Sequence, residues 1–504
     1  MGWTVGRAAI FAAFLVAKAA AAQDVTLVAR EGSIVLTGTL VGFDGEFYRI
    51  DTSYGMLTVD GQGVICEGPA CPDLIAPKAV IRFTGSPDAG ASLLPGLLQR
   101  FAEARGLLFE PQEAPGFAAV IRDPKTDKVL AELSFTALGP DEASAALGEG
   151  RADLAIGSRP EKPFGSRALA YDALVPVVAA DNPTPEMSTT DLARVLSGEV
   201  DNWVEVGGPD MPIVLHALAP DTDLQRALTD RLGLPIVADE AHPDLATLAE
   251  AVAKDPWALA ITGRAEVGRA RILTLTDSCG FPLLPTPLAV KAEDYPLSLP
   301  IFLLTPPRRL PLMAREFLEF LATPEAQAAV AAAGYVDRST SRQAMTADGL
   351  RLINAIQGAG DDITLADLKR LVGLMDGADR LSLTFRFEDG SSTLDAQSQT
   401  NLSDLAQLIA SGQFRNEEMV LAGFSDGSGA AEANLALSVE RAARVAQELA
   451  VVAPDLGADA LPRVEGFGEA LPMACDETAA GRHLNRRVEV WLVPRFTDTP
   501  ASGN

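Results

Sequence analysis

The order of apolar and polar residues divides the chain into regions with different periods. Near the start, Val25, Leu27 and Ala29 are apolar at every second position. Alternation of this kind predicts half-buried strands joined by tight turns. Residues 23–78 are therefore predicted to form a small β-rich module, called here the N-terminal module. Its predicted turns are Asp44-Gly45, Tyr54-Gly55 and Asp60-Gly61.

Residues 79–339 show a second pattern, in which short apolar runs alternate with segments of helical period. The run at 79–83 leads through a turn into a predicted helix at 93–105, and further strand-like runs occur at 154–156 and 174–180. Regular alternation of strands and helices predicts an α/β domain. We call this region the central domain.

The rest of the chain is predicted to hold a linker and an α+β domain. Residues 340–377 contain two amphipathic patches separated at 358–362, which predicts a semi-ordered helical linker. Residues 378–497, the C-terminal domain, begin with an alternating apolar strand, continue with a helix at 395–409 and end in another strand. Alternation predicts that three residues of this last strand face inward: Val488, Val490 and Leu492.

Composition restricts the partners of the protein. The sequence has 504 residues and a formal net charge of −27. A strongly acidic protein repels nucleic acid and anionic membrane surfaces, so no nucleic-acid partner is expected. The length accommodates about three domains. Neither a cofactor nor a metal site is predicted.

The first residues predict export. Arg7 supplies a positive charge, residues 8–16 form an apolar stretch, and alanines at 20–22 form a cleavage site. These features are typical of a cleavable signal peptide. Residues 1–22 are therefore predicted to direct the chain to the periplasm.

The four cysteines of the sequence are interpreted in that oxidising compartment. There they predict disulfides rather than a zinc site. Cys66 and Cys71 bracket a four-residue turn that brings their Cα atoms within bridging reach, so a bond between them is predicted. Cys279 and Cys475 are either free and buried or joined across two domains.

Residues 419–490 are the most informative about function. An apolar run ends at the turn GFSDGSG, residues 423–429, and a segment of helical period follows. This order places Asp426 at the end of a strand and Arg441 on the next helix. Such a pair suits a zwitterionic ligand, because the carboxylate binds an ammonium group and the guanidinium binds a carboxylate through two parallel hydrogen bonds.

This segment resembles the OmpA-like peptidoglycan-binding domain, which combines an aspartate–glycine turn, an N-x-x-LS-x-x-RA helix and a closing NRRVE strand. The resemblance implies that Asp426 and Arg441 bind the diaminopimelate of a Gram-negative stem peptide, and that the protein is associated with peptidoglycan and the outer membrane. The other residues of the implied site are Asn434, Ser438, Asn485 and Arg486. Two family positions differ, because Ser425 replaces a threonine and Ala433 replaces an aromatic residue.

The same turn also fits the G-x-S-x-G pattern of a serine hydrolase. Ser425 would be the nucleophile, followed by Asp476 and His483 in the order of an α/β-hydrolase. This alternative explains five residues, whereas the peptidoglycan-binding pattern explains roughly a dozen. In addition, the arginines around His483 disfavour its protonated form. The prediction is therefore a non-enzymatic protein.

Several phrases of the central domain resemble, in order and spacing, the phosphate-binding family of periplasmic solute receptors. Two of them are DYPLSLPIFLL at 294–304 and AREFLEFLATPEAQAAV at 314–330. The resemblance implies two α/β lobes around a cleft, in which helix N-termini and hydroxyl groups bind an oxyanion. The implied donors are Ser92, Ser158 and Arg159.

The predicted fold class is thus α/β multidomain. It comprises a two-lobed periplasmic-binding-protein fold, preceded by the small β module and followed by the α+β OmpA-like domain.

The central domain departs from the phosphate-receptor pattern in both lobes. His216 occupies the family's arginine position, and the family's S-G-T phrase is replaced by residues 220–222, which end in Thr222. A serine–glycine turn is replaced by residues 139–142, which place Asp141 where an anion would approach. These changes disfavour phosphate.

The main prediction is therefore a peptidoglycan-anchored binding protein whose cleft takes an unidentified small anionic or zwitterionic solute, or docks a protein. The alternative is a working phosphate or oxyanion receptor that delivers its ligand to an ABC permease.

Overall fold

A computed structural model of the protein describes residues 25–495, with gaps at 33, 44–45, 69, 72–77, 115, 346–348, 358–362, 389–390 and 458–459. The predicted signal peptide and the predicted Asp44-Gly45 turn lie outside the described residues. Residues 80–310 and 314–495 belong to one compact unit, which contains the larger part of the central domain and the described part of the C-terminal domain, whereas the N-terminal module belongs to another. Among the described helices, none combines the length and the apolar character that a bilayer crossing requires.

The N-terminal module is a five-stranded antiparallel sheet in the order β4-β3-β2-β1-β5. Its strands are β1 Val25–Ala29, β2 Val35–Phe43, β3 Phe47–Thr52, β4 Gly55–Asp60 and β5 Val64–Glu67. Val25 and Leu27 are buried in its small core, as the alternation predicts, whereas Ala29 is only partly buried. Ile50 of β3 completes the core. The Cys66–Cys71 disulfide is confirmed, with Cα atoms 5.7 Å apart.

The central domain alternates strands with helices. Its strands are β6 Ala79–Gly85, β7 Leu108–Gln112, β8 Phe117–Arg122, β9 Val129–Ala137, β10 Leu154–Gly157, β11 Gly165–Val178, β12 Glu186–Ser188, β13 Val214–Leu218, β14 Glu240–His242, β15 Ala258–Gly263, β16 Arg271–Ile272, β17 Thr274–Thr276, β18 Pro282–Leu283 and β19 Ser298–Thr305. Its α-helices are α1 Pro87–Ala104, α2 Pro140–Gly148, α3 Thr189–Leu196, α4 Asp223–Leu232, α5 Leu245–Val252, α6 Pro287–Lys291, α7 Leu312–Phe320 and α8 Pro324–Ala332. Short 3₁₀ helices occur at Trp203–Val206 and Arg264–Glu266.

Two long antiparallel strands, β11 and β19, connect the halves of the central domain. On one side the sheet continues through β10, β6, β9, β8 and β7, and on the other side through β15, β13 and β14. The inner residues of β11 are buried on both faces, which is typical of a strand covered by helices on both sides. The predicted two-lobed fold is confirmed.

The first helix of the central domain begins earlier than the sequence predicts. α1 starts at Pro87 rather than at residue 93, because proline suits the first turn of a helix, where its missing N–H has no partner to lose. Gly85 precedes it with φ of 117°, where a Cβ atom would approach the Ile156 carbonyl oxygen to 1.9 Å. The placement of Ser92 at a helix start is thus wrong, because Ser92 lies in the second turn of α1.

The C-terminal domain is built on a five-stranded sheet in the order β20-β21-β24-β22-β23. The strands are β20 Arg342–Ala344, β21 Asp379–Phe385, β22 Glu417–Phe424, β23 Arg463–Gly466 and β24 Arg487–Pro494. The helices are α9 Gly349–Gln357, α10 Leu365–Met375, α11 Ala396–Ala410, α12 Ala431–Val452 and α13 Ala479–Asn485. As predicted, three residues of β24 lie in the core together with α11 and α12: Val488, Val490 and Leu492.

The predicted linker at 340–377 is instead part of this domain. β20 pairs with β21, and Leu371 and Met375 of α10 belong to a core cluster with Phe424 and Trp491 on the second face of the sheet. Part of the apolar face of α10 is therefore buried against the sheet, whereas Ile353, Ile356 and Leu365 are exposed.

A buried carboxylate lies under these added helices. Glu489 on β24 is fully buried and accepts hydrogen bonds from Arg351 at 2.6 Å, Arg487 at 2.7 Å and the Trp491 indole at 2.9 Å. The guanidinium of Arg380 lies 3.5 Å away. Burial raises the pKa of Glu489, but the three arginines outweigh this effect and hold it well below its usual range.

The central and C-terminal domains are joined by a buried ion pair and by a disulfide. Arg380 of β21 binds Asp294 through two hydrogen bonds of 2.6 and 3.2 Å. Cys279 and Cys475 form a disulfide with Cα atoms 5.9 Å apart. Of the two alternatives for these cysteines, the structure therefore selects the bond across two domains.

Candidate functional site

The turn after β22 holds the acidic half of the predicted clamp. Asp426 follows the end of β22 and accepts a hydrogen bond from the Ser428 backbone N–H at 3.0 Å. Its other oxygen accepts one from Arg486, also at 3.0 Å. Partial burial raises the pKa of Asp426, but these bonds, above all the one from Arg486, outweigh burial and lower it. Asp426 is therefore a charged acceptor at neutral pH.

Arg441 supplies the basic half from α12. Its guanidinium is half-buried and makes one long contact, 3.5 Å, with the Phe424 carbonyl oxygen. Burial lowers the pKa of Arg441, and the nearby charge of Arg486 lowers it further, while Asp426 opposes both. Within the described part of the chain, no carboxylate lies within ion-pair distance of Arg441. A carboxylate ligand would supply the missing partner.

Helix α12 is held close to the sheet, which fixes the position of Arg441 relative to Asp426. A Cβ atom on Gly423 would approach the Ser438 carbonyl oxygen to 2.0 Å, so only glycine permits this packing. The Ser438 hydroxyl donates to the Leu435 carbonyl oxygen at 2.7 Å and accepts from the Gly468 N–H at 3.0 Å. Ser438 is fully buried and therefore positions the helix.

Two other residues predicted for the site are also buried and bonded to the protein. Asn434 donates to Glu469 at 2.9 Å. Asn485 accepts from the backbone of Met473 at 2.6 Å and donates to Asp476 at 2.8 Å. Asp476 in turn accepts from the Gly427 N–H at 2.7 Å, so this chain of bonds holds the turn. The structure thus brings Asp426, Arg441 and Arg486 together and places the other three behind them.

The geometry around Ser425 does not fit a nucleophile elbow. Ser425 is buried, and its hydroxyl has no hydrogen-bond partner among the described residues. A serine nucleophile needs a base within hydrogen-bond reach. Asp476 is bonded to Asn485 and to the Gly427 N–H instead. We therefore give Ser425 no catalytic role.

In the cleft of the central domain, both serines predicted to bind an anion donate to protein carboxylates. Ser158 follows β10, and its hydroxyl donates to Asp223 at 2.8 Å. Ser92 donates to Glu266 at 3.1 Å. The pKa of Asp223 is raised by burial. The cavity beside Ser158 and Asp223 measures about 20 Å³, which is room for about one water molecule.

The other cleft residues predicted from the sequence have protein partners too. Arg159 pairs with Asp230 at 2.6 Å, and Asp141 pairs with Arg226 at 2.7 Å. Thr222 caps α4, where its hydroxyl accepts from the Gln225 N–H at 3.4 Å. These contacts cap a helix or lie on the surface, and each engages the side chain with a protein partner.

The sequence did not indicate the acidic residues that bond to these serines or lie near them. Asp88 in the first turn of α1 has a pKa raised to about 6 by burial and by the charges of Glu266 and Asp244. Asp223 and Glu266 are distant from their serine partners along the chain, at separations of 65 and 174 residues. The only sequence signal was the acidic phrase PDTD at 220–223, at the family's S-G-T position.

Histidines and an acid form a further cluster at the edge of the second lobe. His216 Nδ1 lies 2.8 Å from His242 Nε2 and 3.7 Å from a Glu240 carboxylate oxygen. Within the described residues, this group has its ligand atoms close enough to hold a metal ion. The histidine at the family's arginine position is thus part of a cluster that the sequence analysis did not predict.

Comparison with known proteins finds two family models that match separate parts of the chain. Residues 110–325 match the family model of the PBP superfamily domain, and residues 386–486 match that of the OmpA family. The chain therefore joins a PBP superfamily domain to an OmpA family domain.

Individual relatives match parts of the chain. The chain is 32% identical over 108 residues to "Probable lipoprotein YiaD" of Escherichia coli, which covers 21% of this chain and 47% of that protein. It is 36% identical over 110 residues to "Outer membrane porin F" of Pseudomonas fluorescens, covering 22% and 32%. The chain thus spans less than half the length of these curated relatives. Among solved structures, a phosphate transport receptor from Vibrio cholerae aligns with a TM-score of 0.41 and 19% identity, over 51% of this chain and 99% of that one.

Proposed function

We propose that this protein is a non-enzymatic binding protein of the periplasm, anchored to peptidoglycan through its C-terminal domain. The ligand of that domain is the diaminopimelate of a stem peptide. Its free ammonium group is taken by Asp426, and its carboxylate by Arg441, with Arg486 beside both. The OmpA family match and the similarity to an outer membrane porin and a lipoprotein support this location.

The half-buried guanidinium of Arg441 carries the proposal. A buried charge without a partner is costly, and a charge-assisted hydrogen bond to a ligand carboxylate removes that cost. Asp426 is already ionised and preorganised by Arg486 and the turn. The pair therefore offers one anionic and one cationic group, which match the ammonium and the carboxylate at the free end of diaminopimelate.

Sedimentation with peptidoglycan sacculi tests the site. The wild-type protein should pellet with sacculi that contain diaminopimelate, and the double variant Asp426→Ala with Arg441→Ala should remain in the supernatant. The matched control is Arg444→Ala on the same helix, because Arg444 pairs with Glu448 on the surface and should not affect pelleting. Equal pelleting of the double variant and the wild type would show that the site is wrongly assigned.

A second comparison isolates the carboxylate. Stem peptides with lysine in place of diaminopimelate keep the ammonium group but lack the carboxylate assigned to Arg441. Sacculi of that type should retain much less protein, and the Arg441→Ala variant should bind both types equally weakly.

The cleft of the central domain is proposed not to bind phosphate. Ser92, Ser158 and Arg159, the donors implied by the family resemblance, all contact protein carboxylates. Asp223 also presents a carboxylate where the anion would lie, so binding would bring two like charges together. The domain then serves another solute or a protein partner, presented near the cell wall.

Calorimetry with inorganic phosphate distinguishes this proposal from a working phosphate receptor. We expect no measurable heat from the wild-type protein. The variant Asp223→Asn removes the opposing charge and is the informative comparison, because weak binding by this variant alone would identify the carboxylate as the cause. Micromolar binding by the wild type would instead support delivery of phosphate to an ABC permease.

A further inference from the structure

The histidine cluster of the second lobe is created by the pairing of two parallel strands. His216 on β13 is the register partner of Glu240 on β14. Glu240 and His242 are separated by one residue, so their side chains point to the same face of the sheet. β14 is the end strand of its sheet. Three side chains with ligand atoms thus converge at one edge of the lobe.

The exposure of the three side chains differs in a way that suits a bound ion. His216 is 5% exposed, whereas the side chain of Glu240 is 62% exposed. His216 therefore provides a fixed ligand, and the exposed carboxylate can rotate towards an ion from the solvent side. That arrangement leaves room for a further ligand such as water.

The two imidazole rings already lie close to the separation that a shared ion requires. The nitrogens of His216 and His242 share a hydrogen bond of 2.8 Å. Two nitrogen ligands of a tetrahedral zinc ion lie about 3.3 Å apart, given Zn–N bonds of about 2.0–2.1 Å. A separation of the rings by about half an ångström would therefore admit the ion.

We propose that His216, His242 and Glu240 form a binding site for a divalent transition-metal ion, with zinc as the reference ion. Two imidazoles and one carboxylate favour Zn²⁺ and its first-row neighbours over Mg²⁺ and Ca²⁺, which prefer oxygen ligands. All four cysteines of the chain are in disulfides, so no thiolate competes for the ion. The site is independent of the peptidoglycan clamp.

Titration of the tag-free, metal-free protein with ZnCl₂ tests the site. We expect one Zn²⁺ per chain, with a dissociation constant on the order of micromolar and not tighter. The affinity is limited because His216 Nε2 has no hydrogen-bond partner in the described structure, and such outer-shell support typically adds 10–100-fold. Substituting His242→Ala should weaken binding at least tenfold, and Glu240→Gln should weaken it several-fold. Co²⁺ should give the visible absorption bands of a four-coordinate ion.

The sequence offers a matched control, since His483 is its only histidine outside the cluster. His483→Gln should bind Zn²⁺ as the wild type does, and Ca²⁺ should neither bind comparably nor displace Zn²⁺. Glu240 is exposed, so Glu240→Gln remains informative if His242→Ala does not fold. The proposal is overturned if the wild type binds no Zn²⁺, if folded His242→Ala and Glu240→Gln bind it unchanged, or if His483→Gln or excess Ca²⁺ abolishes binding.

Discussion

The Glu489→Gln variant is expected to lose about 3–5 kcal/mol of unfolding free energy, the range found when one partner of a buried ion pair is removed. Glutamine has nearly the same shape but no charge. The guanidiniums of Arg351 and Arg487, which now bond to the carboxylate at 2.6 and 2.7 Å, would remain buried beside a neutral amide. Urea denaturation followed by circular dichroism measures the loss.

The same substitution at the surface provides the control. Glu418 on the neighbouring strand β22 pairs with Arg463 at 2.9 Å, and both side chains are 41% exposed. Surface pairs contribute about 0–1 kcal/mol, so Glu418→Gln should change the urea midpoint little. Equal midpoints for the two variants would mean that the buried arginines do not depend on Glu489.

The difference between wild type and Glu489→Gln should also depend on pH in a defined direction. The folded-state pKa of Glu489 lies well below its usual value of 4.5. A lowered pKa contributes stability that is fully present above the unfolded pKa and is lost as pH falls towards the folded one. The two proteins should therefore converge as the pH drops below about 4.5, and a constant difference would contradict the assignment.

In the last strand of the C-terminal domain, β24, the sequence predicted the burial of one face but not of the other. Alternation predicted that Val488, Val490 and Leu492 face the core, and this is confirmed. The same alternation suggests that the opposite face, with Glu489, is exposed, because a charged residue is seldom buried. The structure buries it because α9 and α10 cover that face. Their packing depends on tertiary contacts that local periodicity does not contain.

The sequence indicated the candidate site only in part. The motif names Asp426 and Arg441, which the structure places in the turn after β22 and on α12, with the charge of Asp426 acting on the guanidinium. It also included Ser438 and Asn485, which are buried, because a motif records that a residue type is required and not whether it faces a ligand or supports the fold. In the cleft, carboxylates distant in sequence engage the serines, and only the folded chain reveals these pairs.

Removing the Cys279–Cys475 disulfide is expected to destabilise the unit of central and C-terminal domains by about 5 kcal/mol in the chain-entropy description. The bond closes a loop of 196 residues, so its loss gives the unfolded chain much more freedom. The double variant Cys279→Ala with Cys475→Ala avoids a free thiol. It should still fold at neutral pH, because the buried pair of Asp294 and Arg380 continues to join the two domains.

The second disulfide supplies a comparison within the same chain. Cys66 and Cys71 are separated by 5 residues, for which the same description gives about 2 kcal/mol. Urea unfolding of the two double alanine variants, each compared with the oxidised wild type, should therefore show the larger midpoint shift for Cys279 and Cys475. Dithiothreitol should lower the wild-type midpoint to that of the Cys279→Ala, Cys475→Ala variant and leave the variant's own main transition nearly unchanged. If the long-range bond contributes no more than the short one, the junction between the two domains is held by its buried ion pair and packing rather than by the covalent link.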